Sequence, residues 1–168
     1  DVDFVVANPD AVNATAMIYT GNYPSKNGVV ASSIYNAEKH KSEASLNDPS
    51  SIGNFTTETY SPHNLMLSTI SDEVKIDGAG LGAVYSIALD PQQAIIMAGH
   101  AGNSAFWIND NTGKWSTTTY YKDVPQLLSQ RNYGKSLASR IDTMQWKPAF
   151  SLDKYIGIPA QKRYYPFR

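Results

Sequence analysis

The chain has 168 residues, 42% of them apolar and 17% charged, with a formal net charge of -1. That length suits one domain with a real core, and the near-neutral balance leaves no field to draw nucleic acid or an anionic membrane. With no cysteine, disulfides, thiolate zinc sites and cysteine nucleophiles are excluded.

The first element is a short helix over residues 11–20. Asp10 is its N-cap, Ala14, Met17 and Ile18 recur at helical spacing, and Gly21 ends it. "NYPSKNG" is turn chemistry and "VVASSIY" after it is strand-like. Residues 36–60 are polar and show no period, so they read as a long surface loop, either functional or reaching toward neighbouring structure.

A second helix is expected to start at "SPHN", with Ser61 as cap, Pro62 at the first helical position, and Met66, Leu67, Ile70 and Val74 as its buried stripe. Gly78 and Gly80 stop it. "GAVYSIAL" at 82–89 has the near-continuous apolar run of a parallel strand buried on both faces. Strand, helix and strand at this spacing predict a right-handed crossover. "SAFWINDNTGKWSTTTYY" predicts a β-hairpin turning at 110–113. A third helix is expected over 124–139, turning Val124, Leu127, Leu128 and Leu137 inward. Residues 140–168 have three prolines and little pattern, and read as an irregular tail.

Together these predict one α/β domain over 1–168 with an antiparallel hairpin appended. No stretch reaches the roughly 18 apolar residues a membrane span needs. The chain begins at Asp1 and ends on Arg168 after the run "QKRYYPFR", and both ends are expected to be cuts in a longer polypeptide.

"YTGNYPSKNGVVASSIY" resembles the nucleophile-region motif of the alkaline phosphatase superfamily, in its type I phosphodiesterase/nucleotide pyrophosphatase branch. "SPHNLMLSTISDEV", "AIIMAGHAGNSAFWINDNTGKWSTTTYY" and "QKRYYPF" are similar to the periplasmic, phosphate-irrepressible, threonine-nucleophile phosphatases of that branch. The resemblance covers nearly the whole chain from about Pro9, and implies part of a three-layer fold. It also implies a two-zinc hydrolase in which a threonine at a helix N-terminus attacks phosphorus, while the metals and helix end stabilise the anion. An asparagine, a lysine and an arginine hold the phosphate oxygens.

Carried onto this sequence, the nucleophile falls on Ala11, the asparagine on Ser32, the lysine on Asp90 and the arginine on Gln92. The two motif histidines fall on Thr15 and Asn27. All four phosphate-contacting positions are therefore replaced. Alanine has no oxygen to phosphorylate. Asp90 reverses a charge, a swing on the order of several kcal/mol against an anion at contact distance. Gln92 keeps donors but loses the charge and the bidentate fork. Thr15 is the fallback nucleophile; it lies one turn beyond Ala11, about 6 Å along the axis, and its alternative is a buried or back-bonded threonine.

The family's zinc ligands come from an aspartate before the nucleophile and from Asp/His clusters in segments this sequence lacks, so no metal or cofactor is assigned to it. His40, His63 and His100 show no metal-ligand spacing, and His100 reads as structural. "DGAGLGA" lacks a lysine and precedes its strand, so a helix stop and turn is favoured over a phosphate loop. "NDNTG" reads as a hairpin turn with one carboxylate, short of a calcium loop. "NAT" and "NFT" fit the glycosylation pattern, but the first falls inside a helix.

Three functions are expected to compete. One is a homologue that has left phosphate hydrolysis and serves as a binding or scaffold protein. Another is a parent that stays a metal-dependent phosphoric ester hydrolase with altered chemistry. The third is a carbohydrate- or peptide-binding module using Trp107, Trp115, Tyr120 and Tyr121, whose rings fit the core better than a platform. The resemblance implies an exported, periplasmic setting. The partners expected are the rest of the polypeptide and other copies of the chain.

Overall fold

The computed structural model describes residues 6–122 and 126–134, with 137, 140, 149–151 and 154. Helix α1 spans Ala11–Thr20, as its sequence predicts. The Asp10 carboxylate accepts the N–H groups of Val12 and Asn13 at 2.9 and 2.8 Å, and the Asn13 side chain takes the Asp10 N–H in return. This reciprocal cap satisfies donors that the first turn otherwise leaves free. Gly21 ends the helix at φ 64, a left-handed conformation cheap only for glycine. Asn13 is buried, and its amide donates to the carbonyls of Asn8 and Val30. The acceptor pattern there is interior packing.

"NYPSKNG" tightens into a single helical turn, α2, at Pro24–Asn27, closed by Gly28 at φ 85. Strands β1 (Ser33–Asn36) and β2 (Lys41–Ala44) form an antiparallel hairpin of their own. The expectation of a loop over 36–60 is therefore corrected. The stretch carries β2 and β3 (Gly53–Asn54), and Leu46 is completely buried. Its order comes from side-chain bonds, such as Asp48 accepting from Ser50, Ser51 and Ser61, which leave no hydrophobic period to read.

The expected second helix is also corrected. Ser61 caps and Pro62 leads, but the result is one 3-10 turn, Pro62–Asn64. The chain then extends, and α3 (Ile70–Asp77) starts afresh at Thr69, whose capping box with Asp72 is the stronger start signal. Its buried residue is Asp72, while Met66, Ile70 and Val74 are exposed. The helix packs through its capped end, not through an apolar stripe.

Strand β4 (Tyr85–Ile87) pairs in parallel with β5 (Ser104–Asn109), and α4 (Pro91–Ala98) lies between them in sequence. The strand–helix–strand unit thus runs β4–α4–β5. The expected first strand, β1, lies outside this sheet. Strand β4 is buried on one face only: Ser86 is buried, and Tyr85 and Ile87 are exposed. The predicted hairpin forms as β5 and β6 (Lys114–Thr118), with Trp107 opposite Ser116. It makes the centre of a four-stranded sheet ordered β3-β6-β5-β4. Helix α5 spans Gln126–Tyr133. There Leu128 is buried, whereas Val124 and the Leu127 side chain lie outside the described residues, as does most of 140–168.

The core joins α1, α4 and one sheet face through Val12, Ala16, Ile95, Ile96, Ala105 and Trp107. The aromatics do not form a platform. Trp107 and Tyr121 are core residues, and the Trp107 indole donates to Glu58 at 3.0 Å.

Candidate functional site

The N-termini of α1 and α4 meet the chain at residue 32. Ala11 is the first residue of α1, and its methyl group offers no hydrogen-bonding atom. The Ser32 N–H donates to Asp10 Oδ2 at 2.6 Å, so one carboxylate caps α1 and grips a strand entry 22 residues away. Burial pushes the Asp10 carboxyl up, but the N–H bonds from Asn13, Ser32 and Val12 outweigh it and hold the group below the usual carboxylate range.

Gln92 and Asp90 come from α4. Buried Gln92 donates from Nε2 to the Ser32 carbonyl at 2.9 Å and accepts the Leu46 N–H on Oε1 at 3.1 Å. Both ends of its amide are used by backbone. Asp90 is the N-cap of α4, accepting the Gln93 N–H at 2.9 Å. The hydroxyl of nearby Tyr60 is pushed above its usual range by burial and then by the charges of Glu58 and Asp90. The charged side chains these contacts bring to the site, Asp10 and Asp90, are both carboxylates.

Of the sequence-derived positions, the structure brings Ala11, Ser32 and Gln92 together and places Asp90 at the helix start beside them. Thr15 is buried and back-bonded: its hydroxyl donates to the Ala11 carbonyl at 2.6 Å and accepts from Gln93 Nε2 at 3.0 Å. Gln93, unremarked in the sequence, is the side chain that fastens α4 to α1, since it also donates to the Ala11 carbonyl at 3.1 Å. Its signal was the run Asp90-Pro91 followed by Ile95, Ile96 and Gly99, a helix start and stop.

The zinc ions that the resemblance implies find no ligand set among the described residues: no group of three or more His, Asp or Glu side chains converges there. His40 and His63 are exposed, and His100 turns its ring nitrogens to the Leu65 carbonyl and Asp72. The "DGAGLGA" stretch is a helix end, with Gly80 at φ 79. In "NDNTG", Asn109 Oδ1 accepts from Asn111 and Thr112, a turn held by its own side chain. No helix among the described residues is long and apolar enough to cross a membrane.

No family model matches the chain. It is 32% identical over 152 residues to a calcium-transporting ATPase of Myroides odoratus, covering 88% of this chain and 28% of that protein. It is 29% identical over 143 residues to alkaline phosphatase PafA of Elizabethkingia meningoseptica, covering 82% and 26%. The crystal structure of wild-type alkaline phosphatase PafA superposes with a TM-score of 0.77 at 28% identity, over 87% of this chain and 29% of that one. A PafA variant substituted at a threonine, an asparagine, a lysine and an arginine matches at 0.76. The chain thus spans less than a third of the length of these relatives. Sequence and fold agree along most of its own length, and the chain belongs to the alkaline phosphatase superfamily.

Proposed function

We propose that this chain is part of an alkaline-phosphatase-like protein that has left phosphate ester hydrolysis and acts as a binding or scaffold protein. The observation that carries the reading is Gln92, whose amide is spent on the backbone of Ser32 and Leu46. A group held this way offers no free charge to a phosphate. Ala11 supplies no nucleophile, and Asp10 and Asp90 put negative charge where an anion would have to sit. The spacing of the substituted PafA positions supports this placement. The threonine and asparagine are 21 residues apart and the lysine and arginine two apart, the separations of Ala11 from Ser32 and of Asp90 from Gln92.

Phosphoryl transfer depends almost wholly on positioning and charge stabilisation, so replacing four such groups removes most of its basis. An exported, periplasmic protein is in keeping with this family, and two zinc ions are expected in its active relatives. The test is hydrolysis of an activated aryl phosphate by the purified chain with added zinc. Activity equal to a metal-only blank is expected. Turnover well above the blank that survives repurification overturns the reading, in favour of a hydrolase with altered chemistry.

A further inference from the structure

His100 sits between two acceptors. Its Nε2 lies 2.9 Å from the Leu65 carbonyl oxygen, and its Nδ1 lies 3.3 Å from Asp72 Oδ2. A neutral imidazole carries one N–H, in either tautomer, and presents a lone pair on its other nitrogen. Against a carbonyl and a carboxylate, it makes one bond and opposes a lone pair with the other nitrogen. The imidazolium alone donates to both.

Asp72 supplies a charge that stays in place. Burial pushes its carboxyl up, but donors from Thr69, Ala101 and His100 outweigh that and hold it below the usual range. Among the described residues two tyrosines face this corner: Tyr121 donates its hydroxyl to the Gly99 carbonyl at 2.7 Å, and Tyr120, beyond β6, donates its own to the His100 carbonyl at 3.2 Å. Burial pushes the Tyr120 hydroxyl above its usual range, followed by the charges of Asp72 and Asp48. Asp72 and Tyr120 thus keep their charge states across the interval where histidines ordinarily titrate.

The bond to Leu65 fastens more than one residue. Leu65 is a core side chain, and the next N–H, that of Met66, donates to the Asn27 carbonyl at 2.9 Å. A Cβ on Gly28 would lie 2.8 Å from the Asn64 carbonyl oxygen and from Met66 Cγ. The 64–66 segment is therefore packed hard against the end of α2. On its other side, His100 directly follows α4 and its Gly99 cap, where Asp72 and Thr69 of α3 converge.

We propose that His100 is a proton-dependent latch joining the Leu65–Met66 segment, and through it the end of α2, to the junction of α3 and α4. The latch is fastened at both nitrogens when the ring carries two protons; when it carries one, that proton stays toward the Asp72 carboxylate, the stronger acceptor, and the Leu65 carbonyl is released. It does not rest on the phosphatase reading. The test is urea unfolding of the chain and of His100→Gln at about pH 5.5 and about pH 8.5, on either side of the ordinary histidine range. The unmodified chain is expected to exceed the variant by a margin that shrinks about twofold or more at the higher pH. A second measurement uses the unmodified chain only: ring nitrogen shifts showing two protons at the lower pH, and faster hydrogen exchange of the Met66 amide at the higher one. An equal margin at both pH values, or a Met66 amide indifferent to ring deprotonation, overturns the latch.

Discussion

The Oε1 atom of Gln92 accepts the N–H of Leu46 across 46 residues of sequence, at 3.1 Å and out of contact with solvent. It makes a neutral amide part of the fold at the position that the resemblance matches to a phosphate-holding arginine. Arginine has five donors and no acceptor, so Gln92→Arg leaves the Leu46 N–H facing a donor. A buried backbone N–H without a partner costs about 1–3 kcal/mol. The variant is expected to lose about that much stability in chemical denaturation. Gln92→Glu, which keeps an acceptor but cannot donate to Ser32, is expected to lose stability through that second bond. An arginine variant as stable as the unmodified chain contradicts this account.

Gly99 has no room for a side chain. It sits at φ 69 and ψ -162, and a Cβ there would collide with Thr69 Oγ1 and lie 2.6 Å from Asp72 Oδ1. That backbone region costs a non-glycine residue about 1–3 kcal/mol, and the collision falls on the capping box that starts α3. Gly99→Ala is expected to destabilise by at least the backbone figure and to raise hydrogen exchange in α3 before α1. Exchange that rises equally in both helices would count against the local mechanism.

The acid side of the stability profile is expected to involve Asp48. Burial pushes its carboxyl up, but the hydroxyls of Ser50, Ser61 and Ser51 and the Ser50 N–H outweigh burial and bring it down to about 2. A carboxyl depressed by folding contributes fully above its unfolded value and loses that contribution as pH falls through the folded one. Acid unfolding of the unmodified chain is thus expected to steepen between about pH 4 and about pH 2. Asp48→Asn is expected to flatten that limb, measured by far-ultraviolet circular dichroism. Coincident limbs would remove Asp48 from the explanation.

Helix α1 is legible in the sequence because its cap, periodic residues and terminal Gly21 are all local. Helix α3 is half legible: its glycine stop is plain, but Pro62 offers an earlier start that competes with the Thr69–Asp72 box. The resemblance matches Asp90 and Gln92 to a replaced lysine and arginine, whereas locally Asp90-Pro91 is a helix start. The contacts that define the site, Gln93 to Thr15 and Gln92 to Leu46, span 78 and 46 residues. No local period encodes them. Strand β3 is two residues long, and its pairing with Thr117 and Thr118 follows from the sheet, not from its own composition.

Apolar side chains left in solvent predict association. Ile70, Val74 and Ile76 on α3 are each more than half exposed, and Leu89 after β4 is 80% exposed. Large apolar side chains left exposed mark interaction sites or aggregation where they gather into a patch. Sedimentation velocity is expected to show concentration-dependent self-association, reduced in Ile76→Lys and Leu89→Lys. A monodisperse monomer across a wide concentration range would defeat this prediction.

Restoring the nucleophile alone is expected to leave the chain inert. The frame around Ala11 survives because it is packing: Val12 and Ala16 are core residues, Gly21 ends the helix, and Gln93 pins the Ala11 carbonyl. None of these depends on a reactive side chain at residue 11. In Ala11→Thr the new hydroxyl would stand at a helix N-terminus whose Val12 and Asn13 donors are taken by Asp10. The neighbouring α4 would offer it Asp90 as that helix's N-cap and Gln92 turned to the backbone. An incoming phosphate ester would meet carboxylates where charge stabilisation is required, and that stabilisation is usually the largest catalytic effect. The comparison is aryl phosphate hydrolysis by the unmodified chain, Ala11→Thr, and the triple variant Ala11→Thr, Asp90→Lys, Gln92→Arg, all with added zinc. The single variant is expected to match the blank. If it turns over substrate while the unmodified chain does not, then a hydroxyl was the one missing group, and the charge argument at Asp90 and Gln92 is wrong.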